Sequence, residues 1–428
     1  MKNVLIVSPR FPPSSAPDYH RVRMLLPFLE RHGWKPVVLC VRDEYVDGAT
    51  EPDLRGTIPE SVEVVECRAF PANWTRKVGI GGLSLRAGAF LRSAGKRLLR
   101  TGKFDLVFFS TTEFPLLALG PQWLRRFGVP FVVDLQDPWV NPYYEDNELK
   151  PPGGHLKHAI HQAVARYNEK RVLRAAAHIV TVSPQYPTTL MSRYPDLPAS
   201  RFSVIPFGAA ESDFAFARGS GQTAFDPGDG RRHWVYAGAV VPGMHAGIVA
   251  FFDAFRRACE AGILEPDTVR LHFIGTDYAP GSLARGRVMV LAEKSGVARW
   301  VEEQPQRKPY LATLRCLLDA DALLVFGSNE PGYTASKLFS YVLARKPLLT
   351  IFHEESAVIA AMRELAAGVV VAFNGKTTGD ALARMVFDRW FAERGFEAVP
   401  ATSWEAFRPY LAESMAEKVA AVFDGAVG

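Results

Sequence analysis

Short runs of Val, Ile, Leu and Phe recur along this chain, set between helical stretches, and they limit its folds more than any other feature. "VLIV" (4–7), "VVLCV" (37–41), "DLVFFS" (105–110), "FVVDLQ" (131–136), "HIVTVS" (178–183) and "FSVIPFG" (202–208) form a first series. Continuous apolar runs suit strands covered by helices on both faces, as in parallel sheets. Between the first two runs, "HRVRMLLPFLERHG" puts Val22, Leu25, Leu26 and Leu29 on one helix face, with Gly33 as a stop. The pattern predicts a doubly wound α/β domain over residues 1–210. Residues 211–232, rich in Gly, Ser, Asp and Ala, read as a linker. A second series, "HWVYAG" (233–238), "VRLHFIG" (269–275), "ADALLVFG" (320–327), "KPLLTIF" (346–352) and "GVVVAF" (368–373), predicts a second such domain over 233–400. Residues 401–428 carry apolar residues at helical spacing from Trp404 to Val422. They are expected to form a C-terminal helix packing back on the N-terminal domain, with Thr402 and Glu405 as its capping box. Ligands of open α/β sheets sit beyond the carboxyl ends of the strands, so two Rossmann-like domains facing across a cleft suit two substrates.

The 428 residues suffice for two or three cores, and 48% apolar with 22% charged residues is a globular composition. A net charge of +5 is mild for this length and does not point to nucleic acid. Cys40, Cys67, Cys259 and Cys316 are far apart and share no C-x-x-C spacing, which fits a reducing compartment. The run Val4–Val7 is too short for a signal peptide, and no stretch reaches the roughly 18 apolar residues of a membrane span. A cytoplasmic location is expected.

The loop after the first run, "SPRFPPSSAPDYHR", has no G-x-G-x-x-G, and the chain contains no G-x-x-x-x-G-K-[ST], G-x-S-x-G or H-E-x-x-H. Dinucleotide, P-loop, α/β-hydrolase and zincin chemistries are therefore not signalled. His155, His158 and His161 form the one histidine cluster, and it lacks nearby carboxylates or cysteines. No metal site is expected.

The stretch "NEPGYTASKLFSYVLARKPLLT" (329–350) reads as loop, short helix and strand, and its helix opens on Ser336 and Lys337. A helix start offers free N–H groups and the positive end of its dipole, so this tip suits phosphate, with Lys337 adding a full charge. The alternative is ordinary capping by Thr334 or Ser336, with Lys337 in solvent.

In this order and spacing the segments resemble retaining GT-B glycosyltransferases of family 4. The likeness rests on the opening strand, Pro-Pro loop and helix; on "VVDLQDPW" (132–139), similar to a D-x-x-D-P-W segment; on "RAAAHIVTVSP", "VYAGAV" and "LHFIGT"; and on "ASKLFSYVLARKPLL", similar to P-S-K-L-x-E-Y-x-A-x-G-K-P. It implies a nucleotide-sugar donor bound by the C-terminal domain as a substrate, no other cofactor, and an acceptor bound by the N-terminal domain. Ser336, Lys337 and Gly238 then fall at the donor phosphates. The family's Glu-x₇-Glu pair is absent: the second place holds Ser340, a candidate for the ribose, and the first falls on Gly332. Glu330, two residues away, is the candidate catalytic carboxylate on the donor sugar. Ala239 and Met244 stand where the family carries Arg and Lys, with His245 next, so Arg10 or Arg307 would have to supply phosphate charge.

On the acceptor side, Asp18, Tyr19, His20 and Arg21 open the first helix, and Asp134 and Asp137 close the "FVVDLQDPW" strand. A strand-end carboxylate can orient or deprotonate a hydroxyl, and Asp137 is the candidate; capping the turn before Pro138 is the other role open to it. Trp139 and Tyr143 could stack on a sugar ring or pack. From Arg68 to Lys103 there are nine Lys or Arg and no Asp or Glu, mixed with apolar side chains. Such a segment can lie on anionic lipid at about 1 kcal/mol per cation, or form a solvated basic face.

The expectation is a metal-independent, retaining GT-B hexosyltransferase acting on a glycan or lipid-linked acceptor in cell-surface polysaccharide synthesis, cytoplasmic and peripheral on the inner face of the plasma membrane. The alternatives are a catalytically silent GT-B protein that binds sugar or nucleotide, and a GT-B sugar-nucleotide epimerase.

Overall fold

The computed structural model describes the chain apart from residues 15, 79–80, 141–153, 280–282 and 331–336, and apart from the side chains of 78 and 155–157. Two compact units emerge: Met1–Gly208 with Ala412–Gly428, and Ala209–Leu411.

The first unit holds strands β1 (Lys2–Val7), β2 (Trp34–Val41), β3 (Glu63–Cys67), β4 (Leu106–Ser110), β5 (Phe131–Leu135), β6 (His178–Thr181) and β7 (Phe202–Val204). Its sheet order is β3-β2-β1-β4-β5-β6-β7, parallel throughout. Its main helices are α1 (His20–Leu29), α2 (Leu83–Leu99), α3 (Leu119–Phe127) and α4 (His155–Ala175). Buried Leu83, Leu91 and Leu99 bring α2 onto the sheet beside Trp123 of α3. Gly33 ends the turn after α1 at φ 81°, in the left-handed region glycine tolerates.

The second unit begins with α5 (Glu211–Gly219), followed by β8 (Arg232–Ala237), α6 (His245–Glu260), β9 (Val269–Ile274), β10 (Val301–Gln304), β11 (Ala322–Phe326), α7 (Leu338–Leu343), β12 (Leu348–His353) and β13 (Val369–Phe373). Its parallel sheet runs β10-β9-β8-β11-β12-β13. The core is aromatic: Trp234 meets Trp390 at 5.8 Å and Phe396 at 5.4 Å. Residues 211–232, read as a linker, therefore include a helix of this unit, and Tyr310 donates a 2.9 Å hydrogen bond to Asp213 of that helix.

Residues 401–428 are not one helix. A short turn of helix, Trp404–Phe407, is capped by the Ser403 hydroxyl, which accepts from Ala406 N–H at 3.3 Å. The cap is thus one residue later than the Thr402/Glu405 spacing suggests. Pro409 then sits in a 3₁₀ turn, and α8 (Ala412–Val427) belongs to the first unit. There Phe423 packs edge-on to Trp34 at 5.3 Å and Phe108 at 5.0 Å.

Each strand order reverses once, between β1 and β4 and between β8 and β11. Ligand sites of doubly wound sheets lie at such switch points, beyond the carboxyl ends.

Candidate functional site

In the second unit the switch point is closed by α7. Tyr341, 1% exposed, lies one helical turn after Lys337, and its hydroxyl both donates to Ala237 O at 3.0 Å and accepts from Ala237 N–H at 2.7 Å. This ties α7 to the end of β8. The Lys337 ammonium donates to the same carbonyl at 3.1 Å and lies 4.1 Å from the centroid of the Tyr236 ring. Lys337 itself is half-buried. Burial, and after it the Arg307 charge, bring its amine down to about 7. Gly238 follows at φ 147°, and a Cβ there would run into the Lys337 ammonium. Glycine at 238 is thus required both by its backbone conformation and by the lysine beside it.

Ser340 is half-buried on α7, its N–H donating to Lys337 O at 3.1 Å. Glu330 is exposed beyond β11, with its N–H donated to the Ser328 hydroxyl at 3.3 Å. Ser336, Gly332 and Thr334 lie outside the described residues. The sequence reading missed Tyr236 and Tyr341. The four-residue spacing of Lys337 and Tyr341 on one helix face was the available signal.

In the first unit the switch point gathers carboxylates. Arg10, after β1, pairs with Glu113, after β4, at 2.5 Å and with Asp18 at 3.4 Å. Asp18, 3% exposed, also accepts from Thr112 N–H at 3.3 Å and the Thr112 hydroxyl at 3.1 Å. Glu113 accepts as well from Ser84 N–H at 2.8 Å, at the start of α2. Arg10 is therefore held between two carboxylates.

Asp137 follows β5 and is exposed as a residue; partial enclosure of its carboxyl, then the Asp18 charge, raise it above the usual carboxylate range. Asp134 is different. It is fully buried, 2.9 Å from the Arg21 guanidinium, and accepts from the Ser110 hydroxyl at 2.8 Å and Gln136 at 3.0 Å. Arg21 in turn donates to Ile205 O at 2.7 Å. Both members of this pair are sealed in the core. Tyr19 is likewise buried, and burial with the Arg23 charge lowers His20 to about 3, keeping its imidazole neutral. Trp139 stacks on Phe114 at 5.7 Å, and Tyr143 lies outside the described residues.

A family model described as "Glycosyl transferase 4-like domain" matches residues 20–208. That segment is similar to glycosyl transferase 4-like domains. Over its full length the chain has the GT-B fold. HepE of Anabaena, in complex with UDP and glucose, superposes with a TM-score of 0.60 at 14% identity, covering 99% of this chain and 100% of that one. Sucrose-phosphate synthase of Thermosynechococcus elongatus gives 0.60 at 12% identity, with 99% and 98% covered. A UDP-forming α,α-trehalose-phosphate synthase of Burkholderia xenovorans gives 0.59 at 13% identity, with 99% of each chain covered. No curated protein matches the chain. Among the described residues of this GT-B protein, no helix is long and apolar enough to cross a membrane.

Proposed function

We propose that this GT-B protein is a retaining glycosyltransferase that moves a sugar from a nucleoside-diphosphate sugar to a hydroxyl of a glycan or lipid-linked acceptor, as in cell-surface polysaccharide synthesis. The observation that carries this reading is the Lys337 ammonium, fixed on Tyr236 and Ala237 at the end of β8 with no carboxylate paired to it among the described residues. A cation held so firmly and left uncompensated calls for an anion. When the bond between the sugar carbon and the donor phosphate oxygen breaks, its electron pair stays on the diphosphate. A positive charge already in place stabilises that developing charge more than the intact donor.

Retention follows the family-4 likeness. The acceptor hydroxyl attacks from the face the diphosphate leaves, and its proton passes to the departing phosphate oxygen. Chain cations rather than a metal ion balance the leaving charge, and no cofactor besides the donor is invoked. In this reading Gly238 and Ser336 serve the phosphates, Ser340 the ribose and Glu330 the sugar. Asp137 orients the acceptor hydroxyl. Arg10, already neutralised by Glu113 and Asp18, is given no phosphate role. UDP and UDP-glucose in the HepE complexes support uridine as the first base to test.

The basic segment supports a lipid surface as the acceptor's platform. Trp74 and Leu85 are 72% and 65% exposed, beside exposed Lys77, Arg92, Arg97 and Arg100. The reading it supports is a peripheral position on the inner face of the plasma membrane.

Thermal-shift measurements with UDP, GDP, ADP and TDP test the donor reading. One nucleoside diphosphate should raise the melting temperature, and Lys337→Met should abolish that rise. No rise with any of the four would overturn it. Slow hydrolysis of the matching sugar donor, lost in Asp137→Asn with nucleotide binding intact, would separate an enzyme from a silent binder.

A further inference from the structure

Two cations, not one, converge beyond the carboxyl ends of β8, β9 and β10. Lys337 holds to the end of β8. Arg307 lies three residues after β10, in the loop that crosses Gly275 at the end of β9; its Cα is 3.5 Å from where a Cβ on Gly275 would stand. The Arg307 guanidinium lies 5.8 Å from the centroid of the exposed Tyr278 ring, and its charge reaches the Lys337 amine and lowers it.

Like charges brought together cost free energy unless an anion lies between them. Among the described residues no carboxylate pairs with either cation. The nearby acids are engaged elsewhere. Asp277 accepts from Arg285 N–H at 2.8 Å and from the Arg287 guanidinium at 2.9 Å. Glu303 accepts from the N–H groups of Arg287 at 2.7 Å, Val288 at 3.0 Å and Met289 at 2.8 Å, and from the Thr276 hydroxyl. Residues 280–282 and 331–336 contain no Asp or Glu. The loop carboxylates have thus been drawn onto their own backbone, leaving Arg307 exposed. On the other side of Gly238, Ala239 offers no charge.

We propose that Arg307 is the second diphosphate-binding cation of the donor site, acting with Lys337 across the ends of β8–β10. This rests on the donor reading above. A guanidinium gives two parallel N–H donors to phosphate, where the Lys337 ammonium gives a point charge. Its stacking on Tyr278 holds the fork at one end of the ligand. Bound between the two cations, a diphosphate relieves their mutual repulsion.

Calorimetric titration of the full chain with pyrophosphate, with the nucleoside diphosphate that gives the largest thermal shift, and with the matching nucleoside tests this. Arg307→Gln should weaken pyrophosphate and the diphosphate about tenfold or more while leaving the nucleoside unchanged. Arg307→Lys should restore part of the loss. With the Arg307 charge gone, the pH at which diphosphate affinity begins to fall should move upward, because Lys337 then keeps its proton longer. Equal diphosphate affinity in Arg307→Gln would overturn the proposal and leave the donor reading standing. An equal loss of the nucleoside would make Arg307 a loop or base-side residue and overturn it too. Failure of the wild-type chain to bind any phosphate probe would remove the donor reading itself.

Discussion

The Lys337 ammonium sits 4.1 Å from the Tyr236 ring centroid while donating to the carbonyl of the next residue, Ala237, at 3.1 Å. The ring and the carbonyl attract the charge but do not neutralise it. Burial and Arg307 bring this amine down to about 7 from the 10.5 of a free lysine. A group with a lowered folded pKa binds fewer protons in the folded chain than in the unfolded one between those values. Its burden on stability is therefore full below about pH 7 and lifts as pH rises toward 10.5. Lys337→Met should raise the melting temperature of the unliganded protein, more at about pH 6 than at about pH 9. Diphosphate binding runs the other way: it favours the charged amine, so affinity should be greatest below about pH 7 and decline above it. A flat affinity profile from pH 6 to 9 would contradict this.

Gly238→Ala tests the same site from the backbone side. A methyl group there would overlap the Lys337 ammonium, and φ 147° is unfavourable for any L side chain. Diphosphate affinity should drop about tenfold or more, with folding retained. Wild-type affinity in this variant would mean that the lysine need not stand where the structure puts it.

Arg21 and Asp134, both fully buried and 2.9 Å apart, should behave as a structural pair. Asp134→Asn leaves a buried guanidinium without its counter-charge and should cost about 3–5 kcal/mol in chemical denaturation. Asp137→Asn, on an exposed residue, should cost little stability while lowering turnover. A small loss at 134, or a large one at 137, would reverse the roles assigned to them.

Exposed Trp74 and Leu85 beside the α2 cations should bring the protein down with phosphatidylglycerol-rich vesicles at low salt and leave it free with phosphatidylcholine. Changing both to serine should remove most of that binding. Unaltered sedimentation would return the segment to an ordinary solvated face.

The interior of both sheets was legible because their strands are buried on both faces and read as unbroken apolar runs. The edges were not. β3 is "EVVEC" and β10 is "VEEQ"; each has one neighbouring strand, and its exposed or half-buried acidic residues break the apolar run. The position of Lys337 at a helix start was legible from its motif, but Tyr236 beneath it depends on how β8 meets α7, which spacing alone does not reveal. Arg10 read as a free loop cation because its partner, Glu113, lies 103 residues away. Asp134 read as a strand-end carboxylate open to substrate, whereas the first helix buries Arg21 against it.

The return of α8 to the first unit has a consequence for how the protein is made. Trp34 and Phe108 emerge early from the ribosome, yet the Phe423 ring that covers them is translated after every residue of the second unit. The second unit can complete its core while the first still waits, half-assembled and with greasy surface uncovered, for its final helix. Chaperone demand during synthesis should therefore fall on the half of the molecule that starts first.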